Sequence, residues 1–544
     1  MKKTIFFLLT ICFIIISAVF SSGRAFAQSQ FQLTIGGTGD DYGNSVIQTT
    51  DGGYALVGET NSYGAGYYDL YVLKLNPNET LQWTKTVGGP SDEDFYKVVQ
   101  TTDGGYAAIG ITYSFGAGSW DYYIVKLSAN GSLQWNKTIG GAGDDESISF
   151  VQTTDGGYAI AGAMDSFGAG DFDACIVKLD AAGNLQWSKT IGGTGSDVVF
   201  SIIQTSDGGY AGAGWTNSFG AGGIDMYIVK LDAVGNLQWS KTVGGTDFDY
   251  AYSIIQTTDG GYAVAGKTVS YGAGGYDVYV VKLSGSGTLQ WTRTAGGTSD
   301  DGAGLRNSLI QTTDGGYAIC GSTESFGAGA VDMYIVKLDG SGILQWSKTV
   351  GGTDFDYAYS IIQTTDGGFD IIGRTASFGA GGIDLYFVKL DVNGNTCGNF
   401  TSPSSSSGTG GILGSPNSIV TSPVPTIMSP NPSISSGGTL AVICIPTGIQ
   451  SISNGTPDSY KLQQNYPNPF NPSTKISYSL PKAGNVNLVI FDALGREVST
   501  LVNEEVSPGS YEVTWDASNY PSGVYFYKLS AGDYTKTRKM ILIK

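Results

Sequence analysis

No histidine occurs in the 544 residues, which removes Ser-His-Asp and Cys-His catalysis, His-ligated zinc and imidazole proton shuttles together. Carboxylates and aromatic rings are the chemistry that remains. Acids recur at Asp40-Asp41, Asp92-Glu93-Asp94, Asp144-Asp145-Glu146, Asp197, Asp247 and Asp249, Asp300-Asp301, and Asp354 and Asp356. Two such groups about 5–10 Å apart would supply acid and base for polysaccharide hydrolysis, but no pair stands out and no catalytic residue is assigned. Carboxylates with backbone carbonyls also suit Ca²⁺. No Asp-x-Asp-x-Asp-Gly loop is complete, so no metal ligand or cofactor is assigned. A second set of positions carries Glu59, Ile111, Ala163, Trp215, Lys267, Ser322 and Arg374. Ligand recognition is read where otherwise similar segments differ. Trp120, like Trp215, lies outside the repeated tryptophan motif, and Tyr113 and Asp165 lie beside the same loops. The expected ligand site is therefore Glu59, Tyr113, Trp120, Asp165, Trp215, Lys267 and Arg374. Exposed rings beside carboxylates suit a sugar, by stacking and hydrogen bonding.

The elements that must position these residues are set by a repeat. Gln-Thr-Thr/Ser-Asp-Gly-Gly-Tyr/Phe begins at Gln48, Gln100, Gln152, Gln204, Gln256, Gln311 and Gln363. The spacing is 52 residues except once, where three extra residues near 302–306 make it 55. Such a period signals a propeller, solenoid or array. Each unit reads as four strands, in the first at 45–49, 54–60, 69–75 and 81–87, with a tight Asp-Gly-Gly turn after the first. Leu-Gln-Trp closes only six units, at Trp83, Trp135, Trp187, Trp239, Trp291 and Trp346. The seventh lacks its fourth strand, yet residues 29–37 align with 185–193. An N-terminal strand that completes the last unit closes a ring and removes two sheet edges, whereas an open solenoid wants polar caps. The fold expected is all-β, a seven-bladed propeller of four-stranded blades. Residues present in every unit read as structural: Asp69, Asp121, Asp173, Asp225, Asp277, Asp332 and Asp384 as strand or turn caps, and the six tryptophans as packing.

Over roughly 29–392 this pattern resembles the bacterial propeller repeats of the SBBP and delta-60 type, which implies architecture and little about activity. Asp180-Ala181-Ala182-Gly183-Asn184-Leu185-Gln186-Trp187 resembles the turn-and-tryptophan motif of quinoprotein propellers but is one residue shorter between Asp and Gly. That tryptophan is structural in the family, so the likeness implies no quinone. A sialidase would bring an arginine cluster, and this region has only Arg293, Arg306 and Arg374.

Lys2 and Lys3, an apolar run at 5–20 and Ala25-Phe26-Ala27 read as a signal peptide over 1–27. No other apolar run is long enough for a transmembrane helix in the mature chain. The leader holds three of the 29 basic residues and no acid, so its removal leaves 26 bases against 47 acids. Nucleic acid and anionic membrane are thereby poor partners. Cys175 and Cys320 read as buried thiols, while Cys397 and Cys444 either pair in an oxidising compartment or stay free. Residues 393–457 are rich in Ser, Pro and Gly and read as a semi-flexible linker.

Residues 458–544 alternate as a small β-sandwich. Tyr466-Pro467-Asn468-Pro469-Phe470, Pro508-Gly509-Ser510-Tyr511, Gly523-Val524-Tyr525 and the basic end with Lys536, Lys539 and Lys544 resemble the type A C-terminal sorting domain of the type IX secretion system. The resemblance implies Sec export, passage across a Gram-negative outer membrane with the secretion machinery as partner, and a secreted or surface-attached product. The expected division is 1–27 leader, 28–392 propeller, 393–457 linker and 458–544 sorting domain. The expected function is a binding or interaction module for a glycan or protein, not an enzyme. A top-face polysaccharide hydrolase and a structural surface-layer protein are the alternatives.

Overall fold

The computed structural model describes residues 30–397 except 380, strand segments between 400 and 453, and most of 457–543. The expected leader over 1–27 and Lys544 lie outside the described residues. Every regular element described is a strand, and none of the described residues forms a helix long and apolar enough to cross a membrane.

The third unit shows how the sequence builds each repeat. Asp145–Gln152, Tyr158–Met164, Asp173–Leu179 and Leu185–Gly192 pair in order, all antiparallel. In the first turn Gly156 takes φ +82°, which a side chain resists. Asp155 accepts the Gly157 N–H at 3.0 Å and the Lys178 ammonium at 2.9 Å. Lys178 also donates to the Leu179 carbonyl at 2.9 Å, so a lysine 3 % exposed is satisfied despite its burial. The same Lys–Asp pair recurs in all seven units, from Lys74–Asp51 to Lys389–Asp366. Asp173 caps the Gly-Ala-Gly loop by accepting the Ala169 and Gly170 N–H groups at 2.7 and 3.1 Å. The expected capping role of this sevenfold acid is thus seen directly.

Third strands such as Asp173–Leu179 are buried along their whole length, so each sheet packs on both faces. Six apolar cores join consecutive units. A seventh combines Phe31, Leu33, Ile35 and Phe387 with Tyr54, Leu56 and Tyr71, joining the last unit to the first. Each Leu-Gln-Trp ring leans edge-on against the next unit, as Trp187 does on Tyr210 at 5.5 Å. Such a pair adds about 0.5–1.5 kcal/mol beyond area burial. The arrangement of the repeated sheets is propeller-like.

The junction of last and first units departs from the repeat in a concerted way. Phe31–Gly36 takes the fourth-strand place beside Asp384–Leu390, from Phe31↔Lys389 to Ile35↔Leu385. Elsewhere a left-handed glycine crowds the preceding tryptophan, and a Cβ on Gly394 would lie 2.7 Å from Trp346. In the first unit this position is Glu79, at φ 61°, because Phe31 replaces the tryptophan and leaves room. Asp370, where the other units carry alanine, is fully buried. Burial pushes its carboxyl up to about 7 against the opposing Lys389 charge.

The linker expectation for 393–457 fails across the described strands. Seven short segments each add one further strand to the outer edge of a unit's four-stranded repeat, which makes six five-stranded sheets and, in unit six, where the first strand is split in two, one six-stranded sheet. Phe400–Thr401, Ser406–Gly408, Ile412–Gly414, Ile419–Thr421, Thr426–Met428, Ser433–Ser435 and Thr439–Cys444 pair with units six, five, four, three, two, one and seven in that order. Phe400, Ser407, Leu413, Val420, Ile427, Ile434 and Leu440 sit opposite Val350, Ala295, Val243, Ile191, Ile139, Val87 and Ile35, one equivalent position per unit. Their spacing is six or seven residues, and seven extended residues reach at most roughly 25 Å. The segment is a belt. Low hydrophobicity suggested a linker because edge pairing uses backbone groups, which composition does not report.

The C-terminal region is two four-stranded sheets packed over Phe470, Ile476, Tyr478, Leu488, Trp515, Tyr525 and Tyr527. Phe470 is 2 % exposed and Tyr466 80 % exposed. The Asn468 side chain accepts the Ile541 N–H at 3.0 Å, and Phe470 and Ile541 share a backbone bond. Tyr525 donates to the Pro521 carbonyl at 2.8 Å. Gly523, Lys536 and Lys539 lie in the final antiparallel strand pair, Gly523–Ala531 with Tyr534–Leu542.

Candidate functional site

In each unit the residue after the second-strand glycine lies across a backbone pair from a residue on the first strand or, in unit one, just before it. The pairs are Tyr42 with Glu59, Asp94 with Ile111, Glu146 with Ala163, Val198 with Trp215, Tyr250 with Lys267, Gly302 with Ser322, and Tyr357 with Arg374. Around the array these positions change character. Units one to three supply Glu59, Asp94 and Glu146. Unit four is apolar, with Trp215 packed against Ile148, Ala163 and Val198. Units five and seven supply Lys267 and Arg374 among tyrosines.

Arg306, on the three-residue insertion of unit six, lies across these groups. Its guanidinium is 3.8 Å from the Tyr96 ring centre, in unit two, and 6.0 Å from Tyr359, in unit seven. Glu59 is partly accessible, yet desolvation and the nearby Asp94 charge push its carboxyl up to about 8, with Arg306 opposing. Burial also raises Asp94 and Glu146, and Arg306 again opposes. Glu59 accepts the Asn44 amide at 2.7 Å. Lys97, in unit two, reaches Ser149 at 3.2 Å, and burial brings its ammonium down to about 8.

Lys267 and Arg374 line one cavity of about 300 Å³ with Tyr252, Tyr276, Tyr357 and Tyr359. Lys267 sits 3.9 Å from the Tyr276 ring centre and Arg374 4.6 Å from that of Tyr357. Asp300 and Glu324 also line it, and Asp300 accepts the Tyr276 N–H at 2.9 Å. Of the seven residues singled out from the sequence, the structure brings Lys267 and Arg374 into this cavity. Glu59 falls in the acidic group, and Trp215 contacts Tyr250 at 6.2 Å. Tyr113 and Trp120 form a separate edge-to-face pair at 5.1 Å, and Asp165 is an exposed loop residue. Trp120 and Trp215 are half-buried, so neither is the freely exposed ring that was expected. Arg306, Tyr96 and Lys97 were missed. The broken period at 302–306 was the available signal for Arg306. Among the described residues no group of three or more Cys, Asp or Glu could hold a metal ion.

Residues 464–544 match the family described as secretion system C-terminal sorting domain. The domain marks proteins exported by type IX secretion in Bacteroidetes-type Gram-negative bacteria, and the chain is a protein of the cell surface or exterior. The regulatory protein FlaEY of Caulobacter vibrioides is 26 % identical over 266 residues, which cover 41 % of this chain. The match spans 27 % of that protein's length. Among solved structures, PorZ, an essential surface component of the type IX system of Porphyromonas gingivalis, aligns over 90 % of this chain and 58 % of its own, at 12 % identity and TM-score 0.35. A Bacteroides thetaiotaomicron protein of unknown function aligns over 66 % of this chain and 76 % of its own, at 12 % identity and TM-score 0.28. Likeness at this level carries no argument about function.

Proposed function

We propose that the seven units and their belt form a closed seven-bladed propeller which, once exported, binds a ligand at its varied face and does not transform it. Closure is supported by the seventh apolar core and by the Phe31–Gly36 pairing. The observation that carries the binding reading is the cavity between units five, six and seven, where Lys267 and Arg374 rest on tyrosine faces. At about 300 Å³ it lies at the small end of ligand pockets. The test is a glycan-array and surface-protein pull-down screen of the mature chain, with product release followed in the same samples. Binding without products, lost on changing cavity residues, supports the module. The raised Glu59 carboxyl beside Asp94 favours one second reading, acid–base hydrolysis. Sugar release abolished by Glu59→Gln would establish it instead.

A further inference from the structure

In the repeat region thirteen of the cations follow the repeat. Seven are the turn lysines paired with aspartate. Six sit on fourth strands, at Lys85, Lys137, Lys189, Lys241, Arg293 and Lys348. Four do not follow it: Lys97, Lys267, Arg306 and Arg374. In a chain of net charge −18, scattered cations would be expected to find carboxylates on the surface. These four stand instead on first and second strands or the inserted loop, and among the described residues none has a carboxylate within 4.0 Å.

The two charged halves of the varied face are not equivalent. The acidic half already faces the chain's own guanidinium, since Arg306 spans from unit six to Tyr96 and opposes the charge on Glu59, Asp94 and Glu146. In the cationic half the one such influence among the described residues is Asp300, which acts on Lys267 from beyond ion-pair distance. Lys267 and Arg374 rest on tyrosine ring faces, and cation–π attraction offsets only part of what a desolvated cation loses. Asp300 and Glu324 border the same cavity, as acceptors suited to hydroxyl groups rather than to an anion.

We infer that this cavity receives an anionic saccharide, with a carboxylate or sulfate ester between Lys267 and Arg374 and sugar hydroxyls toward Asp300 and Glu324. The inference rests on the binding reading above and adds the ligand's class. A cavity of about 300 Å³ holds one or two sugar rings, and an arginine pairs with a carboxylate or sulfate through two parallel N–H···O bonds.

The experiment is titration calorimetry on the mature chain at fixed ionic strength, with an oligohexuronate, a sulfated oligosaccharide, a neutral oligosaccharide of equal length and inorganic sulfate. Arg374→Gln and Lys267→Gln are compared with Arg374→Lys and with Asp171→Asn, an exposed loop residue of unit three that serves as a remote control, and melting curves verify folding. Binding of one or both charged oligosaccharides, weakened at least tenfold by either Gln variant, partly restored by Arg374→Lys and unchanged by Asp171→Asn, supports the inference. The uronate and sulfate arms decide which anion is preferred. Neutral sugar bound as tightly, or anion binding indifferent to both Gln variants, overturns the anionic assignment and leaves the binding module standing. Capture of a protein in the screen with no saccharide bound also overturns it, and absence of any ligand overturns both readings.

Discussion

Single carboxylates in this protein are pushed in opposite directions by where they sit. Asp51 and its five counterparts in units two to six are held at about 2. Partial desolvation works against ionisation there, but bonds from the turn threonine, the buried lysine and a glycine N–H prevail. Their folded pKa lies below the unfolded value of about 3.9. Their stabilisation is thus complete above about pH 4 and is lost as pH falls toward 2. Circular dichroism against pH should show one steep acid transition in that window, and Thr153→Ala together with Asp155→Asn should blunt it. Glu59 has the reverse sign. With a folded value of about 8 above an unfolded value of about 4.3, the folded state holds the proton through neutrality. Stability therefore declines as pH rises from about 4 through 8. Glu59→Gln should narrow the gap between the melting temperatures at pH 5 and pH 9, and an unchanged gap would show that Glu59 does not hold its proton in the folded state. The alternation of residue types after the second-strand glycine made Lys267 and Arg374 legible. Arg306 was not, because its role depends on a contact between units six and two that no local pattern encodes.

Among the elements, the N-terminal strand and the belt bear most directly on stability. Phe31, Leu33 and Ile35 are each at most 2 % exposed, and burial of such a side chain is worth about 1.5–3 kcal/mol. Their joint loss approaches the roughly 5–15 kcal/mol that holds a whole domain folded. Deleting residues 28–36 should abolish or sharply lower cooperative melting, and a deletion variant that melts like the parent would refute ring closure through this strand. The strand was readable because residues 29–37 repeat the fourth-strand pattern. The belt was not, since two- or three-residue strands bonded by backbone groups leave a Ser- and Pro-rich composition intact. Yet Ser415-Pro416, Ser422-Pro423 and Ser429-Pro430 recur every seven residues, and that rhythm carried the information. Cys175 and Cys320 are free and buried, and Cys397 is disulfide-bonded. Cys444 lies in register with Gln32, and the Gln32 amide donates to the Cys397 carbonyl. Peptide mapping without reductant should find Cys397 linked to Cys444. Reduction should then speed proteolysis between residues 402 and 443, whereas four free thiols would contradict the link.

The whole molecule joins an exported repeat array to a sorting domain, and the two were legible to different degrees. Phe470, Tyr525 and Gly523 marked the tail because the motif residues that define it also build its core and strand ends. Repeat period and strand order were equally plain, since each unit buries both faces and so repeats its apolar pattern. Ligand chemistry was the least legible, because it resides in the few residues that break the pattern.

The belt has a consequence for how such a protein can change. Residues 244–261 and 351–368 are identical, the mark of copying within the gene, and copying errors of this kind readily add or drop a unit. Seven belt strands answer seven units one for one. An added unit would therefore enter with a bare edge unless a seven-residue step were gained in a different stretch of the gene at the same time. The belt acts as a tally, and it holds the number of units fixed against the recombination that their sequences invite.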